Sequence, residues 1–137
     1  MALLLIPHIH RATHRIGLHI AGLDDPAVNQ PEAHVLAFLA NTAESTIGEV
    51  HRAFGHKRST LTSILDRLEE RGLVARTSDQ RDRRTFVVKL TKTGGAAARR
   101  VMDHLEAFER RALQSAPPAD VRAFLRVLER FEGTEEE

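Results

Sequence analysis

Between residues 57 and 90 the period of the apolar residues changes, and few folds accommodate that change. Leu61, Ile64, Leu65 and Leu68 stand at i, i+3, i+4 and i+7, one stripe of a helix running from about Lys57 to Arg71. Gly72 follows, where a helix-terminating glycine belongs. The pattern then alternates: Leu73–Thr77 reads as one strand and Thr85–Leu90 as its partner. Ser78–Arg84, polar throughout, is the tip of the hairpin between them. A helix followed at once by a hairpin must pack its stripe against whatever precedes it.

What precedes it is helical. A first helix is expected from about Pro7 to Ala21, with Ile9, Ala12, Thr13, Ile16, Ile20 and Leu23 along one face. Asp24-Asp25-Pro26 breaks it. Pro31 opens a second helix, capped by Asn29 or Gln30, with Val35, Leu36, Phe38 and Leu39 as core residues. Thr46 to about Phe54 is a short third helix with capping-box spacing between Thr46 and Glu49. After the hairpin, Thr93 is expected to cap a long helix to about Gln114. Pro117-Pro118 separates it from a last helix bearing Val121, Phe124, Leu125, Leu128 and Phe131. Glu135–Glu137 reads as a disordered tail. The expected fold is mainly α with a small β-hairpin wing: a winged helix-turn-helix, in one domain over 1–137.

Charge distribution separates the middle of this chain from its ends. Residues 1–51 carry a balance of −3, residues 52–100 of +8 and residues 101–137 of −4. A basic middle between acidic ends points to a local polyanion-binding surface. With no Trp or Tyr, all six aromatic residues are Phe, which argues against single-strand binding on an aromatic platform. No cysteine is present, which excludes disulfides and thiolate chemistry. The apolar start, Met1 to Pro7, is too short for an export signal and has no basic lead. No stretch approaches transmembrane length, so a cytoplasmic protein without membrane contact is expected.

On a helical wheel the leucine stripe turns Ser59, Thr62, Ser63, Asp66 and Glu70 outward, with Thr60 and Arg67 at the flanks. Small hydroxyl side chains near a helix start approach a major groove closely and exchange hydrogen bonds with base edges. Lys57 and Arg58 stand at that helix start. Arg81, Arg83 and Arg84 crowd the hairpin tip, where an arginine can enter a narrow minor groove. Asp79 and Asp82 beside them can fix the guanidiniums and the loop amides.

The run from Lys57 to Arg76 resembles the recognition helix of the multiple antibiotic resistance regulator (MarR) family. Asp79-Gln80-Arg81-Asp82-Arg83-Arg84, followed by Val88-Lys89-Leu90-Thr91 and Gly94, resembles that family's wing signature. The resemblance implies a homodimer joined by its N- and C-terminal helices, here 1–24 and 93–137, around a DNA-binding lobe at 31–92. It implies two recognition helices in successive major grooves of a pseudo-palindromic operator, and a ligand-responsive repressor as the usual role. Arg81 matches the family's wing-tip arginine; Asp79, Asp82 and Arg84 match wing residues that are largely structural. The short lead before Pro7 is expected to truncate the first helix at the dimer interface. The lack of cysteine excludes the family's peroxide sensing.

The expected double-stranded DNA contacts are Lys57, Arg58, Ser59, Thr60, Thr62, Ser63, Arg67, Arg81, Arg83 and Arg84. In the resembled family, anionic aromatic ligands bind between the dimer helices and the DNA-binding lobe. His8, Arg11, Arg15, and His51 or Arg52, are the candidate lining residues for such an effector. Eight histidines are present, and His10 and His14 have the i, i+4 spacing of a metal pair, yet no third ligand can be named. Solvated or hydrogen-bonded histidines are therefore the default, and no metal, cofactor or catalytic residue is expected. The alternative is a winged-helix module that binds protein without specific DNA recognition, which the basic surface disfavours. A histidine-dependent metalloenzyme lacks any supporting constellation.

Overall fold

The leucine stripe is buried as its spacing requires: Leu61, Ile64, Leu65 and Leu68 are each no more than 1% exposed. In the computed structural model, which describes residues 2–134, they belong to the fourth of six described helices. The order is α1 (Ile6–Ala21), α2 (Gln30–Thr42), β1 (Glu44–Thr46), α3 (Ile47–Phe54), α4 (Arg58–Glu70), β2 (Val74–Ser78), β3 (Phe86–Leu90), α5 (Lys92–Ala112) and α6 (Pro118–Glu132). The expected disordered tail lies outside the described residues.

The chain divides into two compact units, Met1–Leu105 and Glu106–Glu137. In the first, the α4 stripe packs with Ile20, Val35, Leu36, Leu39, Val50, Val88, Ala97 and Val101 in one core. Three antiparallel strands in the order β1-β3-β2 close it. The wing register pairs Val74 with Leu90 and Ser78 with Phe86, and β1 adds Glu44 opposite Lys89. β1 was not expected, because three polar residues carry no alternation to read. Of the expected α1 face, Ile20 is buried and Ile16 and Leu23 are half-buried, whereas Ala12 and Thr13 are exposed.

Local signals explain the helix ends. The α2 cap is Asn29, whose side chain accepts from the Glu32 amide while Glu32 accepts from the Asn29 amide, both at 2.9 Å. Thr46 accepts from the Glu49 amide at 3.1 Å. Gly72 ends α4 with φ +71°, a left-handed conformation that glycine adopts without strain. Thr91, not Thr93, caps α5: its hydroxyl accepts from the Gly94 amide at 3.0 Å and donates to the Gly72 carbonyl. That bond draws the start of α5 onto the end of α4, which is why residue 94 has no room for a side chain.

In the second unit α6 has no buried residue; Phe124, Leu125 and Phe131 are exposed. In the first unit Leu3, Leu4, Ile6 and Leu18 are exposed as well. Among the described residues no helix is long and apolar enough to cross a membrane.

A methyl group on Gly94 would lie 1.7 Å from the Leu73 carbonyl oxygen, whereas one on Gly95 meets open space. Gly94→Ala is expected to cost about 1–3 kcal/mol or more by overpacking. Gly95→Ala is expected to be neutral or to stabilise by about 0.5–1 kcal/mol. Urea denaturation of the two variants checks the contrast.

Candidate nucleic-acid interface

Because the stripe of α4 faces the core, its opposite side faces solvent. Ser59, Thr60, Thr62 and Ser63 are exposed there, with Lys57 and Arg58 exposed at the start. Lys57 occupies the cap position without a side-chain cap bond. The first α4 amides therefore have no capping acceptor, a favourable setting for an anion.

Arginines tie down both flanks of this strip. On one flank Arg67 forms a 3.5 Å ion pair with buried Glu32 of α2, and Arg71 donates to the Ala27 carbonyl at 2.7 Å. On the other, Arg76 of β2 donates through Nε to Glu69 at 2.8 Å and through a terminal nitrogen to Asp66 at 2.6 Å. The Glu69 hydrogen bond is the largest influence raising the Arg76 pKa above its ordinary value. Arg76 thus welds the wing to α4 and offsets one of the two carboxylate charges beside the strip.

The wing tip is built from acid-to-backbone turns. Buried Asp79 accepts from the Arg81 amide at 3.0 Å and pairs with its Nε at 3.4 Å. Asp82 accepts from the Arg84 amide at 3.1 Å, its Nε at 3.0 Å and a terminal nitrogen at 3.2 Å. Those Arg84 contacts hold the Asp82 carboxyl below its usual range. The Thr85 amide and hydroxyl both donate to the Asp82 carbonyl, closing the tip. Arg81 is left presented, its side chain 77% exposed. Arg83 is exposed without a hydrogen-bond or ion-pair partner among the described residues. Arg84 is exposed but committed to Asp82.

Arg76 and Glu32 were not expected at this surface. Arg76 lies inside the run that resembles the recognition helix, at an alternating position of a strand, which says nothing about its partners. Glu32 stands three residues after Asn29, the spacing of a capping box, but its pairing with Arg67 crosses the fold.

The candidate effector residues lie on two helices. Arg11 and His8 are 3.1 Å apart on the exposed side of α1, Arg15 is exposed one turn on, and His51 is half-buried on α3. A hollow of about 260 Å³ beside α1 is lined by other residues, among them His14, Leu18, Val28 and Gln30. His19 and His104 stack with ring centres 4.3 Å apart. No group of three potential metal ligands converges among the described residues.

Residues 22–85 match a model of the MarR family. The chain is 29% identical over 109 residues to YfiV, an uncharacterised HTH-type transcriptional regulator of Bacillus subtilis, covering 75% of this chain and 68% of YfiV. Its structure is similar to that of a mutant MarR from E. coli complexed with operator DNA, with a TM-score of 0.77, 22% identity, and 93% and 92% of the two chains covered. It is similar also to NadR in complex with 4-hydroxyphenylacetate, with a TM-score of 0.86, 18% identity, and 98% and 96% covered. At these identities the two structural likenesses establish a shared fold.

Removing the weld separates stability from binding. Arg76→Ala is expected to cost about 1 kcal/mol in thermal unfolding, as part-exposed ion pairs do. It is expected to weaken duplex DNA binding on every sequence, because Asp66 and Glu69 then oppose the phosphates. Titration of a fluorescent duplex alongside the melt checks both.

Proposed function

We propose that the chain is a member of the MarR family, whose model matches residues 22–85, and that it is a sequence-specific double-stranded DNA-binding regulator, a homodimeric, ligand-responsive repressor acting on a pseudo-palindromic operator. The observation that carries the reading is the Arg76 weld. A hydroxyl-rich strip on α4 and an arginine at the wing tip are joined in one frame, with the intervening acids Asp66 and Glu69 held by Arg76. Ser59, Thr60, Thr62, Ser63 and Arg67 are assigned to the major groove, and Arg81 to the minor groove. Lys57, Arg58, Arg83 and Arg84 are assigned to phosphates.

Dimerisation by residues 1–24 and 93–137 is supported by the apolar side chains left exposed there, Leu3, Leu4, Ile6, Leu18, Phe124, Leu125 and Phe131. Burying one such side chain fully stabilises by about 1.5–3 kcal/mol, so burying several of them between two copies offsets the entropy of association. A two-fold dimer places two copies of α4 one helical turn apart, which an inverted repeat matches. For the effector we propose an anionic or aromatic small molecule held by His8, Arg11, Arg15 and His51. NadR, with its aromatic carboxylate, supplies a precedent of the same fold. Such a molecule releases DNA only by binding the DNA-free conformation more tightly.

Selection from a pool of random duplexes at two salt concentrations tests the reading. It is expected to recover a short inverted repeat, with affinity falling steeply as salt rises. Arg81→Ala is expected to weaken binding by about 1–3 kcal/mol, most at sites with a narrow AT-rich minor groove. Weak binding without any sequence preference, or an Arg81→Ala variant that binds as the parent does, contradicts it.

A further inference from the structure

Glu32 lies on α2, outside the strip and the wing, yet it is the most enclosed carboxylate in the first unit, 6% exposed. Its two oxygens have separate partners. One accepts the Asn29 amide at 2.9 Å and completes the α2 cap. The other faces Nε of Arg67 at 3.5 Å. A buried carboxylate with one backbone hydrogen bond needs a cation, and removing that cation is costly. Arg67 supplies it, with Nε the nearest nitrogen. Its terminal nitrogens make no hydrogen bond among the described residues, and its side chain is 48% exposed.

Arg67 also stands in line with two candidate base-contacting residues. Thr60, Ser63 and Arg67 are spaced i, i+3 and i+7, one row along α4. One turn on, Arg71 fastens the same flank to the 22–29 linker through Ala27. A long, free arginine finds a phosphate on any sequence. An arginine pinned at Nε presents its planar pair of terminal nitrogens in one place, and that pair matches O6 and N7 of guanine.

We propose that Glu32 is a specificity-determining positioning residue: its buried carboxylate pins Arg67 so that the terminal nitrogens form a fixed fork for a guanine edge. The proposal rests on the DNA-binding reading above. Glu32 touches no DNA itself; it converts Arg67 from a general anion binder into a reader.

The test is a double-mutant cycle in the full chain. It measures affinity for the selected operator and for a random duplex, with a melt of each variant. In Glu32→Gln the amide oxygen still accepts the Asn29 amide, so the cap and the fold are kept while the ion pair is lost. The operator-over-random ratio is expected to fall roughly five- to a hundredfold, the value of one bidentate contact, with random-duplex affinity unchanged or higher. In an Arg67→Ala background Glu32→Gln is expected to change the ratio no further. Asn29→Ala is expected to lower the melting temperature and leave the ratio intact. Should Glu32→Gln not fold, Arg67→Lys carries the test: it keeps a cation for Glu32 but has no fork, and its ratio is expected to fall as far as that of Arg67→Ala.

An unchanged ratio in Glu32→Gln, an equal fall in the Arg67→Ala background, or an equal fall in Asn29→Ala overturns the proposal. So does an Arg67→Lys variant that retains the ratio. A parent protein with no operator preference overturns the DNA-binding reading as well. A parent with strong preference that ignores Glu32 overturns only the inference.

Discussion

The burial of four side chains on α4 sets the orientation on which the rest depends. Leu61, Ile64, Leu65 and Leu68 are buried in one core with residues of α2, β2, β3 and α5, and each contributes about 1.5–3 kcal/mol by leaving water. Rotating α4 by one residue would expose that face and bury Ser59, Thr62 or Ser63 without partners, so the rotation is fixed by hydrophobic burial alone. Burial is poor at fixing tilt and reach, and polar contacts do that here. Arg67 and Arg71 hold one flank to the 27–32 segment, and Arg76 holds the other to the wing.

The same contacts settle an apparent contradiction in the charge. A surface meant for a polyanion carries Asp66, Glu69, Glu70, Asp79 and Asp82. Among the described residues, all but Glu70 are committed to an arginine: Asp66 and Glu69 to Arg76, Asp79 to Arg81 and Asp82 to Arg84. The +8 balance of residues 52–100 is therefore partly spent inside the protein. It trades bulk attraction for fixed geometry. Lys57, Arg58 and Arg83 remain uncommitted for steering, while the restrained arginines sit where position matters.

Much of this was legible in the sequence because the signals are local. The α4 stripe, the glycine at its end, the Thr46 cap and the acid-to-amide turns at Asp79 and Asp82 each involve residues within a few positions of one another. What escaped was non-local or too short. β1 is three polar residues that become a strand only by pairing with β3. The α5 cap falls on Thr91 rather than Thr93 because the Thr91 hydroxyl also reaches the Gly72 carbonyl across the fold. Arg76 and Glu32 look like ordinary charges until the fold brings their partners to them.

Hydroxyl-radical protection of the selected duplex, read at single-nucleotide resolution, tests the central claim that α4 and the wing engage DNA as one frame. The account expects two protected segments about one helical turn apart, related by two-fold symmetry, with outer protections where the wings enter the minor groove. Protection confined to one unsymmetrical patch, or symmetric protection with no outer minor-groove component, would contradict it.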